Sequence, residues 1–242
     1  MGEEVKYSAP EYAETKQLPF RLDVERHTIF TLAGNLAGKR ILDAGCGDGI
    51  YARVSVDRGA SHVLGVDAFR DFIDLAIGKN KGYEGKIDYH LAFMQNFFGN
   101  QDRDIAIGAY ILSYPKNLEE AVTYCRAIAS HLKKGGMFVG FNNSPFDIFD
   151  GTKYKLYGFE KEMHGDKEGG EVIYRVQGLT DPITNYFLSH KTYERAFREA
   201  GFSRFSWRDV LRDESSNAVK RSKSYWEEFF EGPPFAAMVA TK

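Results

Sequence analysis

The apolar residues of this chain recur with two different periods, which alternate along its first half. Short, nearly continuous apolar runs predict strands buried on both faces, and apolar positions three and four residues apart predict amphipathic helices. The first strand begins at Arg40, and the next four are predicted at residues 62–67, 87–92, 104–112 and 137–141. Helices are predicted at residues 22–36, 72–77 and 118–133, and directly after Gly49. Such alternation favours a doubly wound parallel sheet.

Residues 142–190 break this alternation. They show no convincing helical period, and short runs at residues 154–159, 172–176 and 183–188 predict the strands of a small antiparallel insert. The charged, glycine-rich stretch at 160–171 predicts an exposed hairpin loop. A helix at 191–200 and strands at 202–208 and 234–240 follow, whereas residues 1–17 have no regular period.

The first predicted strand leads into a turn rich in glycine. Asp43 ends the strand, and Gly45, Gly47 and Gly49 alternate with small or polar residues. Glycine allows backbone angles closed to other residues and lets a ligand approach the backbone, and a helix start offers unpaired N–H groups. We therefore expect a nucleoside-like cofactor here. The third glycine of the dinucleotide fingerprint would fall at Ile50, and no Walker A sequence follows.

The order acid-x-G-x-G-x-G, matched by Asp43 and the three glycines, resembles the nucleotide loop of class I S-adenosylmethionine-dependent methyltransferases. A second acid, Asp67, ends the next strand 18 residues after Gly49, near the roughly 20 residues that one intervening helix requires. The resemblance implies S-adenosylmethionine as cofactor and S-adenosylhomocysteine as product. It also implies that Asp67 accepts the ribose hydroxyls, although an N-cap of the next helix is an alternative role.

The same resemblance implies a Rossmann-like α/β fold, with a doubly wound, mostly parallel sheet of seven strands that an antiparallel pair closes. Residues 37–141 and 191–242 would form this methyltransferase core. Residues 1–36 would cover the cofactor, and residues 142–190 would form the antiparallel β insert on the substrate side, over the active site.

Further cofactor contacts are implied on the N-terminal segment and at the ends of the second, third and fourth strands. In chain order these candidates are Tyr7, Arg21, Ala68, Phe93, Met94, Ala109 and Tyr110. Arg21 can pair with the cofactor's carboxylate, or it is a surface arginine at a helix start. Tyr110 can offer its ring to the sulfonium, or it is a core tyrosine. Phe93 departs from the family, which commonly has an acid there for the adenine amino group; Gln95 and Asn96 lie close by.

A finer resemblance, to the toxoflavin biosynthesis N-methyltransferase type, depends on three short segments. They are His27-Thr28-Ile29-Phe30, Ala109-Tyr110 followed by Ser113-Tyr114, and Ala200-Gly201-Phe202-Ser203. The insert differs from that type, so the substrate is not carried over from it.

Methyl transfer from a sulfonium is an in-line displacement with a neutral leaving group, so the protein chiefly aligns the reacting atoms. We expect no catalytic triad. If the acceptor needs a base, the candidates are Tyr114, beside the expected methyl position, and His164 in the insert. The spacing of the six histidines does not resemble a metal site.

Composition narrows the function classes. The net charge of −2 over 242 residues gives no electrostatic footprint for nucleic acid, and neither a signal peptide nor a membrane span is predicted. Two isolated cysteines indicate a reducing cytoplasm. We predict a monomer or homodimer that methylates N or O of a small, aromatic or heterocyclic molecule. Two alternatives stay open: a methyltransferase of protein or nucleic acid, and a non-catalytic domain that keeps the fold.

Overall fold

The computed structural model describes residues 7–146, 153–165, 167–216 and 223–242. Ten strands form within these ranges. They are β1 (Arg40–Ala44), β2 (His62–Asp67), β3 (Ile87–Leu91), β4 (Arg103–Ala109), β5 (Leu132–Asn143), β6 (Phe159–His164), β7 (Glu171–Val176), β8 (Ile183–Tyr186), β9 (Arg204–Arg208) and β10 (Phe235–Thr241). The apolar runs of the first half thus form strands where the sequence predicts them.

Seven α-helices accompany these strands in the described ranges. They are α1 (Ala9–Thr15), α2 (Arg26–Ala33), α3 (Ile50–Asp57), α4 (Arg70–Gly78), α5 (Leu118–His131), α6 (His190–Glu199) and α7 (Lys223–Glu231). A π-helical turn at Arg21–Glu25 precedes α2, and short 3₁₀ turns occur at Met94–Asn96, Ile111–Ser113 and Lys155–Tyr157. None of the described helices combines the length and apolar character that crossing a membrane requires.

The seven strands of the main sheet run in the order β3-β2-β1-β4-β5-β10-β9. The first five are parallel, and β10 lies antiparallel between β5 and β9. Strands β6, β7 and β8 form a separate antiparallel sheet. The predicted fold class is therefore confirmed. Because the order reverses between β1 and β4, a crevice is expected beyond the carboxyl ends of these two strands.

Two apolar clusters cover the two faces of the main sheet. Neighbouring residues of a strand point to opposite faces, so Ile41 of β1 packs with α2, α3 and the insert, whereas Leu42 packs with α5 and α6. Both side chains are completely buried. This double burial explains why the parallel strands are almost continuously apolar.

Three local predictions were wrong, and one helix was not predicted. The predicted strand at 154–159 is a 3₁₀ turn, because Tyr157 N–H and Gly158 N–H bond back to the carbonyls of Tyr154 and Lys155. Most of the predicted loop at 160–171 is β6, paired with β7. The predicted helix at 118–133 ends at His131, and β5 continues through the predicted glycine break.

The N-terminal segment, for which no element was predicted, is partly helical. It contains α1, whose start has a capping box: the Ser8 hydroxyl accepts from Glu11 N–H, and the Glu11 carboxylate accepts from Ser8 N–H. This S-x-x-E pattern, with Pro10 in the first turn, is a start signal readable in the sequence.

We expect Phe138→Ala to lower the free energy of unfolding by about 3 to 5 kcal/mol. Phe138 of β5 is fully buried and lies over Gly108 and Gly140, where a Cβ atom would be 2.9 and 2.7 Å from its ring. The measurement is urea unfolding. Phe98→Ala, at a phenylalanine that is 61% exposed, is the matched control and should change stability little. Equal effects of the two substitutions would contradict the assigned core.

Candidate active site

The glycine turn after β1 is held against the end of β2. The N–H groups of Gly45 and Cys46 both donate to the Val66 carbonyl, over 2.8 and 3.0 Å, and Gly47 N–H donates to the Asp67 carboxylate over 2.8 Å. Gly45 and Gly47 have φ of +74° and +52°, a region that residues with a Cβ rarely adopt. The turn therefore leaves the space above the ends of β1 and β2 to a ligand.

Asp43 lies beneath this turn as a buried carboxylate. It is 1% exposed, and neither of its oxygens has a hydrogen-bond partner among the described residues. Burial raises the pKa of Asp43 to about 7. The charge of Lys16 and the nearby Ala52 N–H, which is not aligned for a hydrogen bond to the carboxylate, partly offset this rise. A buried, unsatisfied carboxylate is costly to the fold, so Asp43 is well suited to a cationic ligand group.

The second predicted acid, Asp67, lies at the end of the neighbouring strand β2. Its two oxygens accept from Gly47 N–H and, over 3.1 Å, from Phe69 N–H. Burial raises its pKa, and these N–H groups partly offset the shift. The negative charge of Asp67 in turn contributes to the raised pKa of Asp43. The structure thus brings both carboxylates together, with Ala68 next in the chain.

The segment after β3 holds the residues predicted for the adenine side. Phe93 is 37% exposed, while Met94 is buried in the apolar cluster beneath α5. The amide oxygen of Gln95 is buried without a hydrogen-bond partner among the described residues. From the sequence, Phe93 is the first candidate at this position and Gln95 only an alternative, because burial of the Gln95 amide oxygen cannot be read from the local pattern.

Arg21 belongs to a buried ionic cluster that sequence analysis missed. Its guanidinium donates to Glu25 over 3.1 Å, and Lys16 Nζ lies 3.4 Å from the same carboxylate. The hydroxyls of Tyr51 and Tyr110 also donate to Glu25. Burial acts to raise the pKa of Glu25, but these partners hold it at about 2. The four-residue spacing of Arg21 and Glu25 was a readable signal.

This cluster carries two cations and one anion, and Arg21 Nε has no hydrogen-bond partner among the described residues. Arg21 is 4% exposed, so its unpaired N–H is a strong donor in a site of low polarity. An anionic ligand group near Arg21 would balance the excess positive charge.

Tyr110 follows β4 in a left-handed conformation, with φ of +65°. Such a backbone is uncommon for a residue with a Cβ and tends to occur at functional sites. Its N–H donates to the Phe141 carbonyl over 2.7 Å, and its ring packs edge-on against Phe235. The turn directs the chain after Ala109 across the mouth of the crevice.

The N-terminal segment lies over the glycine turn through a group of rings. Tyr7 stacks on Tyr12 at 5.5 Å, and both pack edge-on against Phe72 of α4. Phe72 is also the side chain nearest to Gly47. Burial raises the pKa of Tyr7 well above its ordinary value, and the nearby Tyr114 raises it further. The structure thus places Tyr7 at the crevice mouth.

Beside this crevice lies an aromatic cleft between the core and the insert. Its lining residues are Tyr12, Phe20, Arg21, Tyr110, Tyr114, Asn143, Phe159, Tyr174, Val176, Ile183, Asn185 and Phe235. Strands β7 and β8 of the insert therefore form one wall of the cleft.

The structure does not support the two predicted bases. His164, at the end of β6, is exposed and bonds Glu162 over 2.9 Å instead of lining the cleft. Tyr114 does line the cleft, but burial raises the pKa of its hydroxyl well above the ordinary value. Its phenol therefore stays protonated at neutral pH and can donate a hydrogen bond. No cluster suited to a metal ion occurs among the described residues.

Comparison with known sequences finds matches over part of this chain. Residues 41–136 match a family model described as a methyltransferase domain. A ubiquinone biosynthesis O-methyltransferase of Marinobacter nauticus is 34% identical over 142 residues, which cover 54% of this chain and 57% of that protein. An uncharacterized protein of Haemophilus influenzae is 33% identical over 86 residues, 33% of this chain and 34% of its own length. The chain therefore spans between a third and three fifths of these two relatives.

Solved structures share the fold over nearly the whole chain. An S-adenosylmethionine-dependent methyltransferase of Mesorhizobium loti has a TM-score of 0.61 at 21% identity, covering 88% of this chain and 94% of that one. Another, of Clostridium acetobutylicum, has a TM-score of 0.61 at 16% identity, covering 96% and 98%. At these identities the likeness concerns the fold alone.

We expect Asp43→Asn to stabilise the ligand-free protein above pH 7 by up to about 4 kcal/mol. The pKa of Asp43 is about 7 when folded and about 3.9 when unfolded. The folded state therefore binds more protons between these values, and wild-type stability falls as pH rises from about 4 to about 7. Asparagine does not titrate, so the variant does not lose stability over this pH range.

Urea unfolding at several pH values measures the difference. It should be largest above pH 7 and shrink toward pH 4. Asp71→Asn, at an exposed acid of α4, is the matched control and should follow the wild type. A difference between Asp43→Asn and wild type that does not change with pH would contradict the raised pKa.

Proposed function

We propose a specific activity for this chain, because residues 41–136 match a methyltransferase domain model and the fold resembles that of S-adenosylmethionine-dependent methyltransferases. The protein transfers a methyl group from S-adenosylmethionine to N or O of a small, flat, aromatic or heterocyclic molecule. The observation that carries this proposal is the pair of unsatisfied groups at the crevice, the carboxylate of Asp43 and the Nε of Arg21.

These groups fit the amino-acid end of the cofactor. That end is a zwitterion, with an ammonium group that needs acceptors and a carboxylate that needs donors. Asp43 offers two buried oxygens, and Arg21 offers a buried N–H. Lys16 connects the two, since it pairs with Glu25 beside Arg21 and its charge acts on Asp43. One zwitterion would satisfy both sets of groups.

The ribose and adenine have corresponding candidates. The two N–H groups that donate to Asp67 orient its carboxylate. Lone pairs remain on its oxygens for the two ribose hydroxyls. We assign the adenine amino group to the buried amide oxygen of Gln95, in place of the acid that the family commonly has there. Phe93 and Ala68 would pack beside the base. Met94 would contribute through its backbone, because its side chain is in the core.

When bound, the cofactor supplies an activated methyl group with a neutral leaving sulfur. The residues of this chain would then bind, orient and exclude water, which accounts for much of the rate of such a displacement. Tyr110 and the 3₁₀ turn after it hold the end of β4 rigidly. The rings of Tyr7, Tyr12 and Phe72 cover the crevice from the N-terminal side.

The acceptor would occupy the aromatic cleft. No aspartate, glutamate, histidine or lysine is among its described lining residues, so the cleft favours a neutral or weakly acidic molecule that needs no strong base. Tyr114, protonated at neutral pH, would donate a hydrogen bond there. The Marinobacter relative is named for an O-methylation in ubiquinone biosynthesis, which favours a small molecule over a macromolecule.

Two alternative functions are disfavoured. Methylation of protein or nucleic acid is disfavoured by the aromatic, mostly uncharged lining of the cleft. The non-catalytic alternative is disfavoured by the buried carboxylate of Asp43. The toxoflavin-type resemblance, the cytoplasmic location and the monomer or homodimer stay predictions.

We expect the wild type to bind S-adenosylhomocysteine in isothermal titration calorimetry and Asp67→Ala to bind it at least tenfold more weakly. The substitution removes the acceptor for the ribose hydroxyls and the acceptor that Gly47 N–H uses. Asp88→Ala, at an exposed acid of β3, is the matched control and should bind like the wild type. A wild type without detectable binding would refute the proposed function.

Turnover is tested with radiolabelled S-adenosylmethionine. We expect label transfer to members of a panel of small phenols and heterocyclic amines, and none to bulk RNA or protein. Label in RNA or protein alone would favour the macromolecular alternative. Cofactor binding without transfer to any member of either set would favour the non-catalytic one.

A further inference from the structure

The lining of the aromatic cleft includes two buried amides. Asn143 is the last residue of β5 and is 7% exposed, and Asn185 lies on β8 of the insert and is 4% exposed. Both line the cleft. Nothing in the proposed methyl transfer uses either amide, although a buried side-chain amide requires partners for its donors and acceptors.

The hydrogen bonds around these amides determine how each is oriented. Asn185 Nδ2 is 3.2 Å from the Thr184 carbonyl, which can only accept, so this end of Asn185 must be the NH₂ group. Its Oδ1 therefore faces Asn143 and accepts from Asn143 Nδ2 over 3.4 Å. The remaining Oδ1 of Asn143 accepts from the Tyr174 hydroxyl over 2.8 Å.

This orientation leaves the cleft with a surplus of donors. Each NH₂ group has two N–H bonds and uses one of them, so one N–H of Asn143 and one of Asn185 have no partner among the described residues. The contact between the two amides is itself long, at 3.4 Å, and therefore weak. A ligand oxygen or ring nitrogen here would satisfy donors that are otherwise unpaired.

The walls of the cleft determine the shape of such a ligand. Phe20 and Phe235 stack with an interplanar angle of 16°, and Phe159 packs on both rings at 4.9 and 5.3 Å. Aromatic walls of this kind favour a flat ring system. An acceptor bound against these rings would be planar and apolar on its faces, with its polar atoms on its edges.

We propose that Asn143 and Asn185 determine acceptor specificity by donating hydrogen bonds to a carbonyl-bearing edge of a flat ring, on the side opposite the methylated atom. Tyr174 acts as a positioning residue, because its hydroxyl holds the Asn143 amide in the donating orientation. This inference rests on the proposed function, since it names the substrate class of the same site. It selects rings with oxygen acceptors over hydrocarbon rings of equal shape.

Two bicyclic probes test the inference. 7-Hydroxycoumarin has a hydroxyl at one end and a lactone carbonyl at the opposite edge, and 2-naphthol has the same hydroxyl and shape without the lactone. We expect protein saturated with S-adenosylhomocysteine to bind 7-hydroxycoumarin at least tenfold more tightly in calorimetry, because 2-naphthol would leave both amides unpaired.

Asn185→Asp replaces an N–H donor by a carboxylate oxygen of nearly the same shape. It should weaken 7-hydroxycoumarin binding at least tenfold, with little effect on 2-naphthol or on S-adenosylhomocysteine. Asn143→Asp is the second variant and should act in the same direction. Asn100→Asp, at an exposed position, is the matched control and should leave all three affinities unchanged.

Each outcome separates this inference from the proposed function. Failure of the wild type to bind S-adenosylhomocysteine would refute the proposed function itself. Retained S-adenosylhomocysteine binding with equal affinity for the two probes, with no binding of 7-hydroxycoumarin, or with unchanged 7-hydroxycoumarin binding in both aspartate variants would overturn the inference and leave the methyltransferase proposal standing.

Discussion

The burial of the Asp43 carboxylate without a partner is the constraint on which the rest of the site depends. An isolated carboxylate in an apolar interior costs several kcal/mol, and proteins usually pair or neutralise it. Neither oxygen of Asp43 has a hydrogen-bond partner among the described residues, and burial raises the pKa of the acid to about 7. A fold that keeps such a group at the end of its central strand is less stable for it, and a bound cation removes the penalty.

A second buried cluster, around Glu25, offsets part of the free-energy cost of burying Asp43, because the charge of Lys16 lowers the pKa of Asp43. The same cluster connects the site to the N-terminal segment. Glu25 binds Lys16 and Arg21 from its own segment, and Tyr51 and Tyr110 from the core. The N-terminal segment is therefore held on the strand ends by charge as well as by ring packing. Because the cluster retains one excess positive charge, the same contacts that seat the segment also prepare it for an anionic group.

Much of this arrangement was readable from local sequence. The parallel strands appear as apolar runs because both faces of the sheet are covered, as Ile41 and Leu42 show. The loop of Asp43 and its glycines was recognisable because the backbone angles there admit few other residues. Each of these signals depends on neighbours within a few positions. The capping box of Ser8 and Glu11 is a signal of the same kind for the start of α1, although no helix was predicted from it.

The sequence by itself thus determined the fold class, the series of parallel strands and the place of the glycine turn after the first of them. Only the tertiary structure decided that Glu25 lies against Tyr110, 85 residues away, and that Asn143 meets Asn185 across the cleft. It also decided that His164 faces solvent. Periodicity and turn chemistry are written in consecutive residues, whereas the partners of a buried polar group are chosen by how distant segments pack.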